Sequence, residues 1–140
     1  MRHLKLYENF DAHKTAAVAI VVDNKVLILK RGTTAPWEPG KWNLPGGGTD
    51  PGESNEQAAI REAQEEANIT PLNLESMFTH NSDEGWSVEH FVSQEYTGKI
   101  ELSDESDDFA WIEEKDITNY EFVESVEDAI KEAFRLKIRS

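Results

Sequence analysis

The sequence predicts an α/β fold: an α/β/α sandwich around a mixed β-sheet. Three observations lead there. Runs rich in β-branched and aromatic residues recur between turn signals, which is the pattern of short strands. Two helix-period segments, near residues 54–67 and 124–137, lie far apart, so they are expected on separate faces of a sheet. A length of 140 residues suits one domain with one core, taken here as residues 1–140.

The elements follow in order. Thr15 to Val22 reads as a buried strand, Asp23-Asn24-Lys25 as a tight turn, and Val26 to Lys30 as the hairpin partner. Arg31 to Lys41 mixes Gly, Thr, Pro and Trp without period and reads as a long loop. A glycine-rich strand end and turn, Gly46-Gly47-Gly48, leads toward the first helix. Glu75 to His80 and Ser87 to Tyr96 read as strands, Thr97-Gly98-Lys99 as a turn, and Phe109 to Ile112 as a short strand. The last helix, Glu124 to Lys137, carries an apolar stripe of Val126, Ala129, Ile130, Ala133 and Phe134, with Lys137 at its edge.

The first helix carries the chemistry. Ser54 is its expected N-cap, with Gln57 three residues on completing a capping box. Asn68 tolerates the left-handed conformation that ends helices. At about 100° per residue, Glu62, Glu65 and Glu66 share one face, beside a stripe of Ala59, Ile60, Ala63 and Ala67. Arg61 can pair with Glu65 at i,i+4, but one cation cannot neutralise three acids. A solvated acidic face is the bland explanation. The preceding Leu44-Pro45-Gly46-Gly47-Gly48 and Gly52-Glu53 favour a metal site instead, since a glycine-rich backbone also suits an approaching anion.

The spacing G-x5-E-x7-R-E-U-x-E-E-x-G-U, with U a bulky apolar residue, is the Nudix box. The sequence resembles it at Gly47, Glu53, Arg61, Glu62, Glu65, Glu66 and Ile69, and Trp42-Asn43-Leu44-Pro45-Gly46-Gly47 resembles the family's lead-in. Two positions depart: Ala63 is smaller than usual, and Asn68 stands where the family has glycine. The resemblance implies a Nudix-type sandwich over nearly the whole chain. It implies hydrolysis of a phosphoric anhydride in a small nucleotide, with Mg²⁺ as cofactor and Mn²⁺ as a substitute. It implies that Glu62, Glu65 and Glu66 hold the metal, joined by the backbone carbonyl near Gly46-Gly47. Arg61 then orients the glutamates, and Glu53 steadies the junction between loop and helix.

A further carboxylate often lies on a loop a few residues before a tryptophan in this family. Glu105, ahead of Trp111, fits that place as an added ligand or general base; Glu89 competes, because alternation sets it on one face with Ser87 and Phe91. Arg31, at the end of the second strand, reads as a phosphate contact or as a surface arginine. Trp37 is the stacking candidate for a base or sugar, Gly47 the backbone contact to substrate, and Trp42 is assigned to packing. Trp86 sits at an expected loop tip, open to ligand or to a second copy in a homodimer; His80 and His90 are assigned to ordinary packing.

The chain holds 28 acidic and 14 basic residues, a formal net charge of −14. That disfavours nucleic-acid polymers and anionic membranes, whose phosphates would be repelled. It does not disfavour a nucleotide, because a divalent ion reverses the local field. Solubility or a salty habitat would account for the acidity equally well. No cysteine is present, and the start, MRHLKLYENFDAHK, has no signal-type apolar run, so a cytoplasmic location is expected. The apolar stretch Ala16 to Val22 is far too short to span a bilayer.

A metal-dependent pyrophosphohydrolase is the leading reading. The substrate stays open among a nucleotide sugar or ADP-ribose-like compound, a dinucleoside polyphosphate and a nucleoside triphosphate. The alternative is a Nudix-like module that senses a nucleotide without cleaving it, against which the Glu65-Glu66 pair argues. An RNA-decapping role stands behind both, since no basic stripe is visible.

Overall fold

Asp23 and Asn24, with φ of 54° and 64°, make the two-residue turn that matches the twist of a hairpin. They join β1 (Lys14–Val22) to β2 (Lys25–Arg31), so Lys25 belongs to the strand and not to the turn. The computed structural model describes residues 13–139, with side-chain environments given as far as residue 136. The N-terminal reading therefore falls largely outside the described residues, as does the surrounding of Lys137.

The hairpin opens beyond its turn and splits the sheet. β1 pairs antiparallel with β4 (Gly46–Gly48) and parallel with β7 (Ser87–Ser93), while β2 pairs with β3 (Trp42–Asn43) and β9 (Ser106–Ile112). β6 (Glu75–Asn81) closes the far edge against β7. A separate two-stranded ribbon joins β5 (Ile69–Leu72) to β8 (Glu95–Gly98). One parallel pair among antiparallel ones makes the sheet mixed, as expected.

Strand alternation in β1 builds both cores. Ala16, Val18 and Ile20 meet Ala58, Ala59, Ala63 and Ala67 of helix α1 (Asn55–Ala67) on one face. Ala17, Ala19 and Val21 meet Ala129, Ile130, Ala133 and Phe134 of helix α2 (Val126–Arg139) on the other. This is the α/β/α sandwich that the sequence predicts, and its two helices do lie on opposite faces. Ile60 is only half-buried; Ala58 joins the stripe in its place. An all-alanine helix face brings the α1 backbone close to the sheet, and each small methyl contributes only about 0.8 kcal/mol. Helix caps matter the more for that reason.

Four expectations are corrected, the first being that Thr97 and Gly98, expected in a turn, lie in strand β8 and pair with Thr70 and Ile69. The run Ser87 to Tyr96 is two strands, because the buried Ser93 hydroxyl donates to the carbonyls of Leu72 (2.5 Å) and Glu95 (2.9 Å) and turns the chain from the main sheet onto β5. The glycines at 46–48 form a paired strand, and the turn into α1 is made later, around Gly52 with φ of 80°. β9 starts at Ser106, three residues before the expected strand. A 3₁₀ helix, Glu114–Asn119, precedes α2.

Candidate active site

Helix α1 is fixed at both ends as the sequence foretells. The Gln57 amide donates to Ser54 Oγ (3.1 Å), and the Ser54 amide donates to Gln57 Oε1 (2.9 Å). Asn68 closes the helix at φ 62°, ψ 31°, its amide donating to the Gln64 carbonyl at 3.0 Å. Asparagine thus adopts the conformation that glycine would take, and its side-chain amide also donates to the Lys99 carbonyl at 3.0 Å.

Arg61 organises the helix glutamates. Its Nε and Nη2 donate to the two oxygens of Glu53 at 2.7 and 2.8 Å, a fork-to-carboxylate pair. Nη2 also donates to the Gly48 carbonyl (2.9 Å), and Nη1 to Glu62 Oε2 (3.2 Å) and Glu65 Oε1 (3.3 Å). Glu53 Oε1 accepts from the Asp50 amide at 2.9 Å, which ties the turn before α1 to the same guanidinium. The Glu53 bond, then the charges of Glu62, Glu53 and Asp50, raise the Arg61 pKa against the opposing cost of burial, so Arg61 is a permanent cation. Asp50 was not singled out by sequence; its signal is the Asp50-Pro51-Gly52 turn beside Glu53.

The three helix glutamates meet β4. Glu62 is wholly buried, and its carboxylate lies where a Cβ on Gly47 would sit. Glu66 Oε1 accepts from the Gly46 amide at 3.0 Å. Glu65 is exposed at the rim beside Arg61. Gly46 and Gly47 must be glycine for packing reasons: a Cβ on Gly46 would collide with the Ala16 carbonyl, and one on Gly47 with Glu62. Among the described residues no three carboxylate or imidazole side chains already form a metal cage. The positive charge between Glu62 and Glu65 is that of Arg61. The donor set of Glu62, Glu65 and Glu66 is all carboxylate oxygen, without sulfur or imidazole, and this fits a hard divalent cation.

The two candidates for the extra carboxylate have different surroundings. Glu89 accepts from Asn55 Nδ2 (2.9 Å) and Ser76 Oγ (2.5 Å), which binds the first turn of α1 to the far edge of the sheet. Its bond from Asn55 places it on the α1 face, where Phe91 packs against the helix alanines, as alternation requires. Glu105 is exposed on a loop that hangs from the C-terminal end of α1: the Ser103 amide donates to the Glu66 carbonyl and the Glu101 amide to that of Ala67, both at 3.0 Å. The Glu105 carbonyl accepts from the Gly32 amide at 3.3 Å, linking this loop to the one that carries Trp37.

Arg31 Nε donates to the Trp37 carbonyl at 2.8 Å, and its guanidinium stands 5.1 Å from the Trp37 ring centroid. Trp37 is 42% exposed and makes an edge contact with Trp86 at 6.2 Å. Trp42 packs edge-on against Tyr120 at 5.1 Å, the packing role expected of it. His90 is buried: Nε2 lies 2.9 Å from Ser125 Oγ, Nδ1 has no partner, and Phe78 covers the ring. His80 is paired instead, its Nε2 lying 2.6 Å from Glu124 Oε2.

A helix of glutamates clamped by an arginine onto a glycine strand, in a sandwich of this topology, defines the class. The NUDIX domain family model matches residues 12–134, and the chain belongs to the Nudix hydrolase family. A nucleoside triphosphate pyrophosphatase/Nudix hydrolase fusion protein of Bifidobacterium longum is 35% identical over 105 residues, 70% of this chain and 22% of that protein. An asymmetrical bis(5'-nucleosyl)-tetraphosphatase of Caenorhabditis elegans is 36% identical over 90 residues, 59% of this chain and 65% of that protein. The chain thus spans under two thirds of either relative. Among solved structures, a MutT Nudix hydrolase of Burkholderia pseudomallei superposes with a TM-score of 0.77 at 25% identity, covering 85% of this chain and 95% of that one. Nudix hydrolases generally use divalent metal ions. Among the described residues no helix is long and apolar enough to cross a membrane.

Proposed function

We propose that the protein is a divalent-metal-dependent hydrolase of a phosphoric anhydride in a small nucleotide, acting in the cytoplasm with Mg²⁺, or with Mn²⁺ in its place. The observation that carries this reading is the clamp of Arg61 on Glu53, Glu62 and Glu65 beside strand Gly46–Gly48. It accounts for why those acids and glycines occur at that spacing.

In this reading Glu62, Glu65 and Glu66 hold the ion, with the Gly46 backbone beside them. A divalent ion there supplies charge neutralisation at the phosphate oxygens. Glu53 fixes Arg61, and Arg61 orients the glutamate carboxylates from one side of the site. Glu105 accepts the proton of the attacking water, from a loop anchored next to Glu66. The backbone at Gly47 and the side chains of Arg31 and Trp37 receive the substrate; the half-exposed Trp37 ring offers a face to a base or sugar.

The relatives named above are, by name, a nucleoside triphosphate pyrophosphatase fused to a Nudix hydrolase and a bis(5'-nucleosyl)-tetraphosphatase, and both nucleotide classes belong in the test along with nucleotide sugars and ADP-ribose. Purified protein is assayed for product release from this panel with Mg²⁺ and with EDTA. Turnover of at least one member that EDTA abolishes is the expected result. Tight binding of a nucleotide without turnover would overturn the hydrolase reading in favour of a sensing module.

A further inference from the structure

Asp50 stands in the Arg61 cluster with one carboxylate oxygen unaccounted for. Its Oδ2 lies 3.6 Å from Arg61 Nε, while its Oδ1 is buried without a hydrogen-bond partner. A buried carboxylate oxygen is normally paired, so its presence here asks for a reason. The Asp50 amide is meanwhile committed to Glu53, which holds the residue in register with the clamp.

The guanidinium is shared between two sides. Glu53 grips the Nε and Nη2 edge at 2.7 and 2.8 Å. On the other side Nη1 reaches Glu62 and Glu65 at 3.2 and 3.3 Å, where it supplies positive charge to the very carboxylates proposed to hold a divalent ion. Arg61 and such an ion therefore compete for Glu62 and Glu65. Asp50 is the carboxylate placed to draw Arg61 the other way, toward the edge that Glu53 already holds.

We propose that Asp50 is a positioning residue that balances Arg61 against Glu62 and Glu65, and so sets how readily those glutamates give up the arginine for a divalent cation. This rests on the metal reading given above. Asp50 acts through Arg61, whose Nε its Oδ2 faces at 3.6 Å. Without its charge, Arg61 leans on Glu62 and Glu65, and the ion must displace a stronger competitor.

The probe is Mn²⁺ alone, its binding followed by electron paramagnetic resonance on the full chain. Asp50→Asn, shown folded by circular dichroism, is expected to bind Mn²⁺ roughly tenfold more weakly than wild type, the usual scale for a residue that supports a ligand. Asp50→Glu restores most of the affinity. Glu56→Gln removes one exposed acid from the first turn of α1, outside the Arg61 cluster, and should shift affinity less than about twofold if loss of charge alone is a small effect. In an Arg61→Gln background, Asp50→Asn has no further effect, because the residue through which it acts is gone. If Arg61→Gln does not fold, the comparison of Asp50→Asn with Glu56→Gln decides alone. A folded Asp50→Asn protein that binds Mn²⁺ like wild type, or no worse than Glu56→Gln, overturns the proposal and leaves the metal reading standing. A wild-type protein that binds no Mn²⁺ overturns both.

Discussion

The buried Glu62 carboxylate occupies the space that a side chain on Gly47 would need. Strand and helix are thereby matched at one point: the absence of a Cβ on β4 is what lets an acid from α1 lie against the sheet. Gly47→Ala should push Glu62 out and cost about 1–3 kcal/mol, the range for overfilling a packed site. Urea denaturation measures it. Stability equal to wild type would mean that Glu62 moves aside freely and that its buried position is not enforced.

Asn68 leads to a second expectation. At φ 62° a β-branched residue is strained, so Asn68→Val should lose about 1–2 kcal/mol or more. Asn68→Gly should stay within about 1 kcal/mol of wild type, since it regains backbone ease but loses the bond to the Lys99 carbonyl. Thermal melting of both variants checks this, and a valine variant as stable as wild type would contradict the left-handed cap.

His90 makes stability depend on pH. Burial first, and the charge of His80 second, push its pKa down from 6.5 to about 4. The unfolded chain, with an ordinary histidine, binds the proton more readily than the folded one. Between pH 6.5 and about 4 the unfolded state therefore gains, and stability falls as the pH falls, by at most roughly 3 kcal/mol from this residue. Above pH 6.5 His90 contributes no slope. His90→Leu should flatten that part of a stability-versus-pH curve measured by urea titration; an unchanged slope would place the acid sensitivity elsewhere.

Glu105 and Glu89 are separated by their anchors. Glu89 is held by Asn55 and Ser76, while Glu105 sits on the loop hung from the α1 carbonyls. As a proton acceptor, Glu105 should govern turnover more than ion binding. Glu105→Gln is expected to lower kcat by about 10²-fold or more, the scale of lost general-base catalysis, with its Mg²⁺ dependence nearly unchanged. Glu89→Gln should act on stability instead. A Mg²⁺ titration of both variants reads the difference, and a near-normal kcat for Glu105→Gln beside a crippled Glu89→Gln would reverse the assignment.

Much of this architecture is written locally. The capping box at Ser54 and Gln57, the Asn68 cap and the Asp23-Asn24 turn each depend on residues a few positions apart, and all are legible in the chain. The alanine stripe and the glutamate face follow from helix period. The break at Ser93 is not legible, because it rests on a hydroxyl meeting Leu72, 21 residues earlier. Strand β5 is hidden for a related reason: it is four residues long and contains Pro71, which reads as a breaker unless its partner strand is known. At the site, glycine spacing suggested a turn, whereas the glycines answer to Ala16 and Glu62 across the fold. Asp50 was missed because its meaning comes from Arg61, which sequence period does not link to it.

The most direct test of the metal-dependent hydrolase account is the turnover of Glu66→Gln with Mg²⁺ on whichever nucleotide the wild type cleaves best. Glu66 accepts from the Gly46 amide, a bond that glutamine can keep through its own carbonyl oxygen, so the fold should survive. Loss of one carboxylate charge at the ion should cost at least about 10²-fold in kcat, the scale seen when a group that stabilises developing charge is removed. A folded Glu66→Gln protein that turns over at the wild-type rate would contradict the account.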